Sequence, residues 1–410
     1  MVVLVLLGST TEALADVQTN GNVYALYSIR TRNVDCDQTP SCALPLAEER
    51  FQLKMSGSSE STVASSFLGT VDFVADHVTH STRVEPRQIY ADLTWRSLTV
   101  RGGWQLITWG IGDYVFVNDI FPKNFESFFL GRPTEYLKEP SGALRITAPH
   151  IDFVLLPVFE PDHLPSPLRF AYADPLPPDA IRTFSTPSAA IENAEAALRL
   201  PGTLGRWDVA LYGYRGFSRS PALASPPQPP ADVPQTLVFR YPRLNTAGAS
   251  VEGPLFGGLF GVEGAYYDSE DDRAGSNPFI DNSEVRALAS YTHPLWEDAS
   301  IGVQALSQTM MNYDEYAAVA VPGFPTLKRT RWTGTLRFTQ LLVQQLVQFN
   351  FFAFVGITEH DAYLIPSLRY ALTDNLSVEA VGNVFLGEGE TSFGRFRHNS
   401  NVRLGMQYGF

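Results

Sequence analysis

Residues 399–410 read NSNVRLGMQYGF. Val402, Leu404, Met406, Tyr408 and Phe410 share one parity, and Asn401, Arg403, Gly405, Gln407 and Gly409 share the other. Successive strand side chains point to opposite faces, so this is a strand with one apolar and one polar face. It ends on an aromatic ring beside a carboxylate, where a soluble domain usually frays. The same period recurs upstream. RFQLKM (50–55), QIYADLTWR (88–96), EVRALASYT (284–292), TGTLRFTQ (333–340), LVQFNFFAFVG (346–356), LIPSLRYAL (364–372) and LSVEAVGNVF (376–385) all alternate.

A soluble sandwich alternates too, so the separators decide. Short ones (RS at 96–97, PGTLGR at 201–206, PLWEDA at 294–299, TDN at 373–375) interleave with long ones at 109–141, 160–188, 217–234 and 311–327. Short turns on one side and long loops on the other describe a transmembrane barrel. Trp95, Trp207, Tyr291, Phe338 and Tyr370 fall on the outward parity near short turns, and Phe217, Tyr266 and Trp332 near long loops. Two aromatic girdles are what two lipid headgroup levels select. The expected fold is all-β: a single antiparallel transmembrane barrel of about 18 strands by the alternation rule, with 16 as the alternative. Strands are expected to begin near 21, 50, 62, 86, 98, 142, 150, 190, 206, 235, 258, 282, 299, 328, 344, 362, 375 and 397. The segment through Pro242 and the strands around 142–159 are the weakest of these. Closure then requires the last strand to pair with NVYALYSIR (22–30).

Composition agrees. Charged residues make up 18% and aromatics 12%, and Gly and Pro are abundant, which suits many strands and turns. No run reaches the roughly 18 to 20 apolar residues of a spanning helix. A net charge of -13 argues against nucleic acid. MVVLVLLG followed by ALA (13–15) reads as the remnant of an export signal, leaving 16–410 as the mature barrel. Cys36 and Cys42 then read as one local disulfide.

The terminal VRLGMQYGF resembles the closing strand of Gram-negative outer-membrane barrels, which implies that Phe410 belongs to a signal engaged by the outer-membrane insertion machinery. RGGWQLITWGIGDYVFVNDIFP (101–122) is similar to the G-x-Q-x-x-x-W-G stretch of some uncharacterised proteobacterial porin-like proteins. The resemblance implies a bacterial outer-membrane location, contact with lipopolysaccharide, and a third loop, 109–141, folded into the lumen.

With the apolar parity outside, Arg96, Arg101, Arg145, Arg199, Arg286, Arg331, Arg337, Arg369 and Arg403 are expected to line the interior with Asp92, Glu195, Asp208, Glu263, Glu284 and Glu379. Arg199 is expected opposite Asp208, and Arg369 opposite Glu379, as cross-strand pairs. A barrel this wide leaves an aqueous channel unless filled. Asp113, Asp119 and Glu126 of the third loop, with Glu135 and Glu139, are expected to face wall arginines and set a transverse field. Its Phe116, Val117, Ile120, Phe121, Phe125, Phe128 and Phe129 call for burial. The acidic stretch 268–281 and the pair His77 and His80 lack the spacing of a metal site, and SPALASPPQPPADVP (220–234) reads as a stiff loop. No nucleophile elbow is present, so no catalytic residues, metal or cofactor are assigned. The reading is a channel for small hydrophilic solutes. The alternatives are a scaffold or conduit for a periplasmic partner or lipid, and a membrane-embedded hydrolase. An outward apolar face also suits a homotrimer.

Overall fold

The computed structural model describes residues 15–31, 43–172, 176, 180–224, 236–322, 324 and 326–410. Residues 1–14 of the expected export segment, Cys36 and Cys42 with their expected bridge, and most of the proline-rich stretch 220–234 lie outside them.

Eighteen strands form one closed antiparallel sheet. In chain order they are β1 (Ala15–Arg30), β2 (Leu46–Ser59), β3 (Ala64–Asp76), β4 (Ser81–Trp95), β5 (Leu98–Gln105) and β6 (Ser141–Ala148). There follow β7 (Ile151–Leu156), β8 (Glu195–Leu204), β9 (Trp207–Phe217), β10 (Arg243–Leu255), β11 (Gly258–Ser269) and β12 (Glu284–Trp296). The last six are β13 (Ala299–Met310), β14 (Thr330–Leu342), β15 (Val347–Gly356), β16 (Asp361–Ala371), β17 (Leu376–Leu386) and β18 (Asn401–Gly409). Each strand pairs with its chain neighbours, and β18 returns to β1 from Asn22↔Gly409 to Arg30↔Asn401. Gly21 and Phe410 exchange both backbone hydrogen bonds, at 3.0 and 3.1 Å, and the Phe410 ring stacks on Phe51 at 5.6 Å. The terminal alternation therefore ends in a seam: its outward residues continue the apolar belt, and its backbone completes the ladder that a closed wall requires.

The five prolines inside barrel strands explain how so many can be tolerated, because Pro donates nothing to a ladder. Pro86 lies beyond the last β4–β5 pair, Ile89↔Trp104. Pro201 lies beyond Asp152↔Arg199, where β7 has ended, and Pro254 lies beyond Asp208↔Glu252. Pro294 lies past Leu259↔Thr292, and Pro366 falls in a gap of the β16–β17 ladder.

Sequence expectations change for this reason or for its converse, and PLWEDA narrows to a turn at Glu297 and Asp298 because β12 runs through Pro294 to Trp296. PGTLGR is not a six-residue turn: β8 runs through Pro201, only Gly205 and Arg206 turn, and Leu204 faces Trp207. Arg199 consequently stands opposite Tyr212, not Asp208. RS at 96–97 is a true two-residue turn, with Arg96 at φ 54 and its guanidinium 4.8 Å over Trp95, so Arg96 is a turn residue rather than a wall residue. The strand expected near 235 splits at Pro242. Thr236–Arg240 joins a separate three-stranded sheet with Ile181–Ser185 and Ala222–Leu223, and the barrel resumes at Arg243.

Outward positions are apolar and open: Leu404 is 61% exposed and Leu211 59%. Trp95, Tyr370, Tyr266 and Trp332 are also exposed. Phe217 departs from the expected girdle, because Phe159 and Tyr241 cover it. The interior holds the charged parity, but β15–β17 depart from it. Phe352, Phe354, Tyr363 and Phe385 point inward and are buried, which demands something apolar inside to cover them.

Candidate functional site

The segment between β5 and β6, residues 106–140, supplies that cover. Trp109 donates from Nε1 to Asp152 at 3.0 Å, while Asp152 also receives the Arg145 fork at 2.7 and 2.6 Å. Next the chain wraps round the carboxylate of Glu263 on β11. One oxygen accepts the Ile111 N–H at 2.9 Å, and the other accepts the backbone and side-chain N–H groups of Asn118, both at 2.8 Å. Gly110, at φ +79, sits where a Cβ would come within 2.6 Å of that carboxylate, so the turn needs glycine for both reasons. Asp113 then meets Arg337 of β14 at 2.8 Å, with its own N–H donating to Gln304 of β13.

A five-residue helix, α1 (Phe125–Phe129), follows, capped by the Asn124 side chain accepting from the Ser127 N–H at 2.7 Å. It delivers two rings to the inward aromatics. Phe128 lies 5.6 Å from Tyr363, Phe129 lies 5.6 Å from Phe385, and Tyr363 stacks on Phe385 at 4.4 Å. Each such pair contributes roughly 0.5–1.5 kcal/mol beyond its area. The segment finishes on β2–β4. Arg132 forks onto Glu48 at 2.9 and 2.8 Å, Tyr136 donates to Asp72 at 2.6 Å, and Arg50 bonds Glu48, Asp72 and Glu85. The segment thus crosses the interior and is tied to opposite walls.

Of the acids expected to face wall arginines, Asp113 has the close partner, Arg337, and Glu139 a longer one, Arg87 of β4. Asp119 lies between Lys123 and Lys138, at 2.9 Å from each, inside its own loop. Burial pushes the Lys123 ammonium below its usual range, against the pull of Asp119. Glu126 accepts the Ser166 N–H at 2.9 Å and faces Arg169, so it belongs to the contact with segment 157–172. Glu135 accepts from the Tyr24 hydroxyl at 3.1 Å. Glu139 takes Asn124 at 2.6 Å and His163 at 3.1 Å, with Arg87 at 3.7 Å. Segment 157–172 lies across this corner, His163 pairing through its backbone with Lys123 and Phe125. The Glu139 hydrogen bond and charge raise the His163 pKa despite partial burial.

The wall arginines are mostly paired. Arg101 forks onto Asp92 at 2.7 and 2.9 Å, and Arg286 binds Glu284 and lies 3.9 Å over Tyr267. Arg331 reaches Glu284 at 3.4 Å, and Arg403 binds Glu379. Arg369 stands opposite Glu379 in the ladder, yet its hydrogen bond goes to Gln407 at 3.4 Å. Below the crossing segment, toward the short turns, lies a cavity of about 530 Å³; toward the long loops lies another of about 340 Å³, lined by Phe116, Lys123, Arg219, Tyr267 and Arg286. The acidic stretch 268–281 is engaged by its own chain: Asp268 takes the Arg273 fork, and Asp272 accepts the Ser276 and Asn277 N–H groups. His77 contacts Glu49 at 2.5 Å on the outside.

The crystal structure of Pseudomonas aeruginosa OccK5 (OpdH) is similar to this chain with a TM-score of 0.55 at 12% identity, covering 97% of this chain and 98% of its own. The chain has the porin fold. A triple mutant of Rhodopseudomonas blastica porin (TM-score 0.46, 10% identity, covering 96% and 100%) and a loop-deleted OmpT, an outer membrane protein of Vibrio cholerae (0.44, 13%, 96% and 99%), are also similar. No family profile and no curated protein matches the chain. Within the porin fold, sequence reasoning did not single out Glu48, Arg50, Asp72 and Arg132. Glu48 and Arg50 carried the inward parity opposite Phe51, and that was the usable signal.

Proposed function

We propose that this barrel sits in a bacterial outer membrane and passes small hydrophilic solutes, with residues 106–140 setting its narrowest section and no catalytic step. The observation that carries the reading is the division of the wall. Apolar residues such as Leu404 and Leu211 stand open outside, while Arg101–Asp92, Arg145–Asp152 and Arg286–Glu284 stand inside. Charges turned inward and apolar side chains turned outward suit hydrocarbon around the cylinder and water within it. Asp113 against Arg337 supplies a local field at the crossing segment, which orients charged solutes as they pass. Lipopolysaccharide would meet the outer rim, the insertion machinery would read the segment ending at Phe410, and the outward face is compatible with a homotrimer.

Reconstitution of the detergent-purified protein into planar bilayers tests this. Discrete current steps are expected. Complete absence of current across a range of salt concentrations would refute free diffusion and leave a barrel sealed by residues 106–140, whose ties to opposite walls would then make it a scaffold or conduit.

A further inference from the structure

We propose that a gap in the wall beside β4 admits the head of a primary-amine amphiphile from the bilayer, with its apolar tail left outside. The site is separate from the path of solutes along the lumen, and it requires only that hydrocarbon surrounds the barrel.

The gap follows from the strand register. β4 pairs with β3 as far as Asp76↔Ser81, but its ladder with β5 stops at Ile89↔Trp104. β5 ends at Gln105, where the chain leaves the wall, so residues 81–88 have a strand on one side only. At about 3.3 Å per residue and a tilt of about 40°, Ile89 stands roughly 15 Å above Trp95, inside an apolar belt about 25 Å tall. A strand edge cannot face hydrocarbon without polar partners. Residues 135–140 stand behind this one: Arg87 donates to the Glu135 and Lys138 carbonyls, both at 3.0 Å, with its guanidinium 4.7 Å over Tyr136. A cavity of about 320 Å³ occupies the gap. Its lining joins Val84, Pro86 and Trp104, from the outer face of the wall, to inward Arg50, Glu85 and Tyr136. A continuous sheet keeps its two faces apart, so the cavity connects the lipid side with the lumen side.

The charges select the head. Glu48, Asp72, Glu85, Glu139 and Glu160 meet Arg50, Arg87 and Arg132 there, with His163 a fourth cation only when protonated. Arg50 and Arg132 are held by Glu48, Asp72 and Glu85, and Glu139 is held by Arg87 and His163. Glu160 is the acid left over. Among the described residues its carboxylate makes no hydrogen bond or salt bridge, while its backbone carbonyl accepts from Arg219 at 2.9 Å. Burial holds that carboxyl above its usual range, against the charges of Arg219 and His163. An ammonium supplies the missing charge and three donors, enough for Glu160 and for carbonyls of the open edge, whereas an anionic head meets net negative charge. The tail has a matching surface outside, since Val84 is 59% exposed and Trp104 40%.

The test is photolabelling of the full chain in phosphatidylcholine vesicles with dodecylamine carrying a mid-chain diazirine, and with the matching alcohol and sulfonate. Labelled residues are read by mass spectrometry. The amine is expected to label Val84 and Trp104 saturably, and unlabelled dodecylamine but not dodecanesulfonate should compete. Leu404, on the lipid face of β18, should be labelled by all three probes without saturation. Glu160→Gln should raise the half-saturating amine concentration by roughly ten- to a hundredfold, the loss of one charged contact. Val84→Trp, which fills the outer mouth, should remove the saturable labelling of Trp104 and leave that of Leu404. Migration on unheated gels confirms that each variant is folded. Labelling of Val84 and Trp104 that tracks Leu404 for every probe, an unchanged half-saturation in folded Glu160→Gln, or a preference for the sulfonate would each overturn the proposal. Protection of Val84 and Trp104 from all three probes would overturn it too, by showing a second copy of the chain across the gap. None of these outcomes depends on current through the barrel, so the channel reading stands or falls separately.

Discussion

Replacing Glu263 by alanine should release residues 106–140 from the wall without opening the barrel. Glu263 is 1% exposed, and its two oxygens accept three hydrogen bonds, from the Ile111 N–H and from both N–H donors of Asn118. Alanine leaves the three donors buried without that acceptor, at about 1–3 kcal/mol each, so local opening becomes easier by on the order of 3–9 kcal/mol. At about 1.4 kcal/mol per decade, amide exchange at Ile111 and Asn118 should accelerate by roughly two to six orders of magnitude. Glu263→Gln keeps one acceptor oxygen but turns an amide N–H toward a donor, so an intermediate effect is expected. Gly248→Ala reaches the same tie independently, because a Cβ there would overlap the Asn118 side-chain oxygen. Hydrogen exchange by mass spectrometry in detergent reads the first quantity, and single-channel conductance, expected to rise, reads the second. Wild-type exchange at Ile111 and Asn118 in a folded Glu263→Ala protein would refute the reasoning.

Two further outcomes follow from other contacts. The raised His163 pKa means that its tie to Glu139 stabilises the loop contact fully below the ordinary histidine value of about 6.5 and loses that contribution as pH rises through the raised folded value. Glu139, whose carboxyl is buried yet held below its usual range by His163, Asn124 and Arg87, keeps its charge well into acid. Segment 157–172 should therefore resist limited proteolysis better at pH 6 than at pH 9, and His163→Ala should abolish the difference; an unchanged pH dependence in that variant would contradict the assignment. Phe410→Ala removes the ring stacked on Phe51, worth roughly 0.5–1.5 kcal/mol, and should lower the fraction migrating as the folded form on unheated gels. Phe51→Ala should reproduce the stability loss but not any loss of insertion, and identical behaviour in both respects would argue against a recognition role for Phe410.

The strands were legible because side-chain period and turn length are local properties. The expected strand starts near 98, 258 and 299 coincide with β5, β11 and β13. Errors arose where a residue means different things on a free and a paired edge. Pro201 and Gly202 look like a turn, but once β7 has ended nothing requires the Pro201 donor, so β8 continues and the register shifts under Arg199. The interior was legible as a set of charges but not as a set of pairs. Whether Glu379 meets Arg369 or Arg403 depends on a diagonal between strands whose residues are distant in sequence. The inward rings of β15–β17 did leave a trace, since 351–355 reads FFAFV with no polar interruption, the mark of a strand apolar on both faces. The partner that buries it, more than two hundred residues upstream at Phe128, carries no local signature.

The seam between β1 and β18 bears on how such an object can be made. It joins Asn22 to Gly409, nearly the whole contour of the polypeptide. Bringing ends that far apart together costs a flexible chain roughly 5 kcal/mol of entropy, and until it happens both margins of the sheet can recruit foreign strands. Gln407 to Asn22 at 2.9 Å and the Thr31 N–H to Ser400 at 2.9 Å are contacts that exist only after the zip is complete. Those contacts and the shelter of both sheet margins therefore come together, as one event of closure.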